Sequence, residues 1–526
     1  MENRIAAIKP ILICGKSSSI WVLLFFLLLK FYLQYIAINP VYELHRDEYL
    51  HVDLGNHLAW GYTTVPPLTG WISFVIIALG KSVFWVKFFP ALFGALTILV
   101  VWKMVEELGG SMFALILAAT GVLCSALLRI NTLYQPNSLE YLIWTLMFYC
   151  VIKYIKSEEP KWLWMTALSF AFGFLNKYNI GFLLLGFIPA LLLTQHRKIL
   201  KEKQLYLAFG VAFIVVLPNL IWQFENGFPV VRHMKTLAET QLVNVDRFGF
   251  VRDQLLFFTG SLLTLLAAFF SFFLFPPFRK YRIVFWTYLF VILIYFYLRA
   301  KSYYSIGLYP VLLAFGSVYL ENLLQRGWRY YFRPVLIGIP VVFTIAIFQV
   351  VVPVQTPEEI IEEPDLFKTL GLLRWEDGRD HQLPQDFADM LGWRELGKLV
   401  DEAFERVENK EQTLIHCDNY GEAGAINFYS SKKSGEALSL HADYLYWYPL
   451  EKMEIRNVVL VKGPWDDDPS RERERALFET VELIGEIENP HAREKGTKVY
   501  LLKGAQQSIE KILEEEIERR KKGMDS

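Results

Sequence analysis

Residues 45–68 read HRDEYLHVDLGNHLAWGYTTVPPL, and their first nine positions hold three acids, two histidines and an arginine. Asp47 and Glu48 are adjacent, so on a helix they point about 100° apart and cannot share one proton as a carboxylate pair. One can accept a proton while the other holds a neighbour or a cation. Asp53 follows six residues on. His45, Arg46, His51 and His57 make the stretch rich in groups that bind substrate or move protons. A single loop histidine usually satisfies a hydrogen bond. His51 and Asp47 are four apart and share a helical face, which leaves a divalent metal open.

Cations recur in three other places. Arg129 precedes NTLYQPNS, Lys177 lies in FLNKYNIGF, and Arg299 and Lys301 lie in YLRAKSYYSIGLYP with Tyr303 and Tyr304. Each borders an apolar run, where a charge is costly in lipid and usually lines a cavity or substrate route. Snorkelling to headgroups accounts for any one of them. Three hairpins presenting cations at one level point instead to an anion, most simply a lipid phosphate. PNLIWQFENGFP adds Asn219 and Trp222 at a further helix end, where interface belts explain most aromatics. Acids opposite such cations suit one reaction: a lipid phosphate leaves beside positive charge while a base takes the proton of an incoming hydroxyl. Neither G-x-x-x-x-G-K-[ST] nor a strand-linked G-x-G-x-x-G occurs, so no nucleotide site is called for.

The elements that must position these groups are membrane helices. Of 526 residues, 54% are hydrophobic, 16% aromatic and only 20% charged, with a mean hydropathy of +0.29. A net charge of −1 gives no field for nucleic acid. Scanning for stretches of roughly 20 apolar residues gives about eleven candidate spans between residues 20 and 353. The first, 20–38, reads as an uncleaved signal anchor. Lysine- and arginine-rich turns at 156–161, 196–203, 278–282 and 325–334 fall on one side and assign it to the cytoplasm. Loops 39–84, 131–137, 223–250 and 300–303, and everything after 354, then face outward. Within 39–84, the apolar piece before Gly80-Lys81 is too short to span and reads as interfacial.

After 353 the pattern changes to short alternating segments. TLIHCD (413–418), NVVLVKG (457–463) and KVYLLKG (498–504) read as strands, and EAGAINFYSS as a helix between the first two. The expected fold is therefore a polytopic α-helical membrane protein with a C-terminal soluble α/β domain. Its divisions are 1–353, 354–505 and an amphipathic charged helix at 506–526, with Ile509, Ile512, Leu513 and Ile517 on one side. The four cysteines, Cys14, Cys124, Cys150 and Cys417, form no readable disulfide framework or metal pair.

Taken in order, RDEYLHVDLGNHLAWGYTTVPPL, LNKYNIGFLLLG, PNLIWQFENGFP, KSYYSIGLYPVLLAFG and YGEAGAINFY resemble glycosyltransferase family 39. This is the group of bacterial protein O-mannosyltransferase-like and lipid A aminoarabinose transferase-like enzymes with the GT-C fold. The resemblance implies an inverting transferase that moves a hexosyl or pentosyl unit from a polyprenyl-phosphate carrier to an extracytoplasmic hydroxyl on protein, lipid or glycan. It implies Asp47 as general base and Glu48 as its orienting partner. It places the donor phosphate at Lys177 and Lys301, with Arg129, Tyr303 and Tyr304 as secondary contacts. His45, Arg46, His51, Asn219 and Trp222 are the candidate substrate contacts; no metal ligand and no obligatory cofactor is assigned. The bacterial inner membrane, with the C-terminal domain in the periplasm, is the expected location. The competing reading is a transporter or flippase of a lipid-linked sugar. Such proteins usually place their polar residues at midplane in related halves. No repeat is visible here, and the charges lie at the surface.

Overall fold

The computed structural model describes residues 16–36, 38–240, 242–451 and 453–521. Cys14 and positions 522–526 of the expected terminal helix lie outside them. Among the described residues, seven helices are long and apolar enough to cross a membrane, or up to nine if each of two sharply bent pairs is one span. The expected spans 112–130 and 162–177 fall on shorter helices. Met112–Leu123 breaks at Cys124 before the four-residue helix Leu127–Ile130, and Lys161–Asn176 has 16 residues. Met112–Leu123 is buried along most of its length, so neighbouring helices cover it where lipid would cover a full span.

The outward loop 39–84 is built from short helices. Helix Arg46–Asp53 starts with a capping box: the Asp47 N–H donates to His45 Nδ1, and the His45 N–H donates to Glu48 Oε2. Such a box satisfies backbone donors that a helix start leaves open. Helix Leu68–Ala78 follows, 11 mostly apolar residues ended by Gly80 at φ +107°, a conformation open to glycine without a Cβ penalty. At about 1.5 Å per residue this helix falls well short of a bilayer.

Beyond the last apolar helix, Arg333–Val351, the chain forms a five-stranded sheet flanked by helices. Its strands are β1 (Thr413–Cys417), β2 (Ala437–Ser439), β3 (Asn457–Lys462), β4 (Phe478–Glu486) and β5 (Lys498–Ala505), in the order β2-β1-β3-β5-β4. β1 pairs in parallel with β2 and β3, while β5 runs antiparallel to β3 and β4. The three expected strands are β1, β3 and β5, and the expected helix is Tyr420–Tyr429. The terminal helix is Ile509–Lys521. Its Ile509, Leu513 and Ile517 are buried, but Ile512 is 40% exposed at the edge of that stripe.

This sheet region does not hang free of the bundle. Tyr42, Leu44, Tyr49, Leu50 and Val52 share one apolar core with Trp393, Ile415, Ile426 and Val459. Helix Tyr420–Tyr429 crosses helix Arg46–Asp53 so closely that a Cβ on Gly424 would stand 2.7 Å from the Tyr49 Cβ. The glycine is what permits the crossing.

Candidate active site

The two adjacent acids have opposite surroundings. Glu48 is fully buried. Lys87 Nζ donates to Glu48 Oε1 and Oε2 at 2.8 and 2.6 Å, the Tyr134 N–H donates to Oε1 at 2.7 Å, and the His45 N–H donates to Oε2 at 2.8 Å. A carboxylate has about four lone-pair sites, so Glu48 is saturated by the protein. Its geometry fits a brace between the first and second outward loops better than the substrate-orienting role expected of it. Asp53 is a second brace. It is buried, accepts Asn427 Nδ2 at 2.7 Å and the Tyr444 hydroxyl at 2.8 Å, and lies 3.4 Å from Lys81 Nζ. Burial pushes its carboxyl up, against the pull of Lys81.

Asp47 is about one-third exposed (34%). Tyr420 donates its hydroxyl to Oδ1 at 2.8 Å, and Gln135 Nε2 donates to Oδ2 at 3.1 Å. Each oxygen keeps a lone pair for another donor. Burial alone would raise this carboxyl, but the His45 imidazole, the Arg46 guanidinium and the Tyr420 hydroxyl bond outweigh it and hold it below its ordinary value. Asp47 is thus an ionised, partly accessible carboxylate at a junction of three segments.

From Asp47 a chain of hydrogen bonds leads to a cation. Asn137 Nδ2 donates to Gln135 Oε1 at 3.1 Å, and Lys177 Nζ donates to Asn137 Oδ1 at 2.6 Å. An ammonium can only donate and a carboxylate can only accept, so the two ends dictate the orientation of both amides between them. Lys177 also lies 3.1 Å from Glu140 Oε2, and its Nζ stands 4.5 and 5.6 Å from the ring centres of Tyr304 and Tyr303. Its backbone caps helix Lys161–Asn176 in an extended conformation, which turns it out of the helix.

The other expected residues divide in two. Arg129 Nη2 lies 3.4 Å from Asp386, and Lys301 Nζ lies 3.4 Å from Glu376. Both cations therefore meet the segment 375–386 of the C-terminal region. Arg46 stacks on Tyr420 at 4.7 Å and faces Glu494 at 4.0 Å. His51 Nδ1 is 3.1 Å from the Tyr134 carbonyl, and burial lowers its pKa. Asn219 is buried; it donates Nδ2 to the Trp60 carbonyl at 2.8 Å and accepts the Tyr178 hydroxyl at 3.0 Å. Trp222 packs against Gly61, again tying a helix end to loop 39–84. Asn219 and Trp222 thus brace the loop.

His45, His51 and His57 are not brought together. His45 Nε2 faces Asp389 at 3.7 Å, while His57 stacks on Trp447 and meets Glu436 at 2.7 Å. Among the described residues no group of three or more histidine, cysteine or carboxylate side chains is placed to hold a metal. Sequence reading missed Glu140, a charge inside the apolar run that follows NTLYQPNS, and also Gln135 and Asn137 within that stretch. Amides carry no charge signal. Tyr420 was visible only as part of a family motif, and its partner lies 373 positions away.

The fold is shared with known structures. The structure superimposes on the crystal structure of ArnT from Cupriavidus metallidurans bound to undecaprenyl phosphate with a TM-score of 0.63 and 13% identity, covering 92% of this chain and 98% of that one. The apo state of that protein gives 0.62 and 12%, with the same coverage. The sequence pattern of the dolichyl-phosphate-mannose-protein mannosyltransferase family matches residues 64–222. The chain is a multi-pass membrane protein with the GT-C fold, similar to glycosyltransferase family 39. Among curated proteins it is similar to the lipid A galacturonosyltransferase RgtD of Rhizobium johnstonii, 21% identical over 202 residues, which are 38% of this chain and 42% of that protein. The match thus spans less than half of that relative.

Proposed function

We propose that the protein transfers a sugar from a polyprenyl-phosphate carrier to a hydroxyl acceptor at the outer face of the bacterial inner membrane. Asp47 is the general base. The acceptor oxygen attacks the anomeric carbon as the carbon–oxygen bond to the carrier phosphate breaks. The acceptor proton passes to Asp47, and the phosphate departs with its charge beside Lys177. A single displacement of this kind inverts the anomeric centre.

The observation that carries this reading is the chain Lys177–Asn137–Gln135–Asp47, which holds an ammonium and an open carboxylate at fixed separation. Base and leaving-group cation must stand on opposite sides of the reacting carbon, and a carboxylate and an ammonium held apart by two amides are compatible with that requirement. The fold is shared with a protein crystallised with undecaprenyl phosphate, which fits a lipid carrier of that chemistry. Glu140 already neutralises part of the Lys177 charge, so donor phosphate competes with a carboxylate for this lysine. Arg129 and Lys301 are paired with acids of the segment 375–386, so donor phosphate competes with a carboxylate for these cations as well.

The test is transfer of label from purified polyprenyl-phosphate sugars to membrane extracts, with wild type beside Asp47→Asn. Label reaching an acceptor in the wild type alone supports the reading, and the labelled product names the acceptor. Tight lipid binding without transfer, indifferent to Asp47, would favour carrier translocation instead.

A further inference from the structure

A cleft of about 700 Å³ opens at the carboxyl ends of β1 and β3. Its walls include Arg46, Trp375, His381, Asp418, Lys462 and Trp465. The sheet order β2-β1-β3 makes this the place where successive connections leave in opposite directions, the crevice where open α/β sheets bind ligands. The region has no part in the Lys177–Asp47 chain, yet it touches that site. Arg46 precedes Asp47 and stacks on Tyr420, whose hydroxyl holds Asp47. Segment 375–386 sends Trp375 and Gln385 into the cleft while Glu376 and Asp386 reach Lys301 and Arg129.

The chemistry of the walls selects the ligand. Anions are ill served. Asp418 accepts the Gly463 N–H at 2.9 Å and Lys462 Nζ at 2.7 Å, so the amide that could cradle a phosphate already meets a carboxylate. At the start of helix Tyr420–Tyr429, Asn419 takes the Gly421 and Glu422 N–H groups in a capping box. That helix end is closed to an incoming anion as well. What stays open is suited to a neutral polyol. Trp465 is 90% exposed at the rim, far beyond what a solvated tryptophan normally shows, and Trp375 lies in the wall stacked on His381 at 3.6 Å. A pyranose presents one face of C–H groups that lies flat on an indole, and its hydroxyls both donate and accept. Carboxylate, imidazole and guanidinium edges supply the complementary partners. Arg46 Nε, buried in this wall, has no hydrogen-bond partner among the described residues.

We infer that this cleft is a carbohydrate-binding subsite that holds one or two neutral sugar units of the acceptor, next to the unit whose hydroxyl reaches Asp47. The inference rests on the transferase reading for the word acceptor, but the binding of sugar does not.

The experiment uses the full-length protein in lipid nanodiscs, because maltoside detergents would occupy the site. Maltose, cellobiose and lactose are the probes, observed by saturation-transfer NMR, with inorganic phosphate, followed by broadening of its phosphorus-31 line, as the anion control. At least one disaccharide should bind saturably to the wild type and to Asp47→Asn alike. Trp465→Ala, which removes an exposed ring, should weaken it about tenfold, and Trp465→Phe should restore part of the loss. No binding by any disaccharide, equal binding to Trp465→Ala, or a response to phosphate alone would overturn the proposal. The disaccharide that binds should also inhibit transfer to membrane-extract acceptor, and less so in Trp465→Ala. Binding without any inhibition would remove the acceptor role. Loss of transfer in every preparation, with binding intact, would count against the transferase reading and leave the sugar site standing.

Discussion

The two ends of the helical bundle handle charge differently. At the end away from the sheet, Lys153 and Lys156 meet Glu107 at 2.6 and 2.8 Å, and Lys103 meets Glu106 at 2.8 Å. These are pairs between neighbouring helices or turns, and Lys156 and Lys103 are half exposed. At the other end, Asp47, Gln135, Asn137 and Lys177 join three separate loops and helix ends, and Tyr420 brings in a fourth segment. Exposed pairs of the first kind contribute little to stability. A partly buried network that ends in an open carboxylate is of a different kind, and it is the one to which the proposed chemistry is assigned.

The contrast can be attacked by mutation. Asp47→Asn keeps the shape but cannot take a proton, and its single amide oxygen can accept from only one of Tyr420 and Gln135 as they now stand. Its kcat should fall by about 10²–10⁴, the range of a positioned general base, with unchanged thermal unfolding; a variant that still turns over normally would end the base assignment. Glu48→Gln should act on stability. Breaking the buried pair with Lys87 costs about 3–5 kcal/mol, read as a large drop in the melting temperature. Should the melting temperature stay put while turnover vanishes, Glu48 belongs to the chemistry and the brace reading fails. Lys177→Ala should raise the KM for donor about tenfold or more with a smaller change in kcat. Lys301→Ala, whose lysine faces an exposed glutamate, should raise it only a few-fold. At the opposite end Lys103→Ala, which breaks an exposed pair with Glu106, should change stability by no more than about 1 kcal/mol and leave transfer alone. An equal loss of donor affinity there would erase the distinction between the ends.

The pH dependence follows from Asp47. Its folded pKa is held below its ordinary value, so the base stays ionised through neutral pH. Any stability it contributes is present above the unfolded value of about 3.9 and is lost as pH falls through the lower folded value. Activity should therefore persist to mildly acidic pH. An acid limb in kcat/KM near pH 6 would implicate another group.

Much of this was legible in the chain itself. Long apolar runs and basic turns announce a bundle because lipid permits few alternatives. The strands β1, β3 and β5 announced themselves by alternation or by buried apolar runs. β2 did not, because three residues carry no period. β4 did not either, because FETVELIGE is an edge strand with charged, exposed faces. At the site, charge made Asp47 and Lys177 visible, and the resemblance assigned their roles. The division of labour between Asp47 and Glu48 was not legible, since it depends on Lys87 and Tyr134, 39 and 86 positions away. Gln135 and Asn137 matter only through contacts made in three dimensions.

The most direct test sets kcat and donor KM of Asp47→Asn beside those of Lys177→Ala, with one labelled donor and one acceptor preparation. Loss in kcat for the first and a rise in KM for the second would mark base and phosphate site as separate functions joined by one hydrogen-bond chain. Identical profiles in the two variants would mean that the chain acts as a structural tie and that the transfer chemistry lies elsewhere.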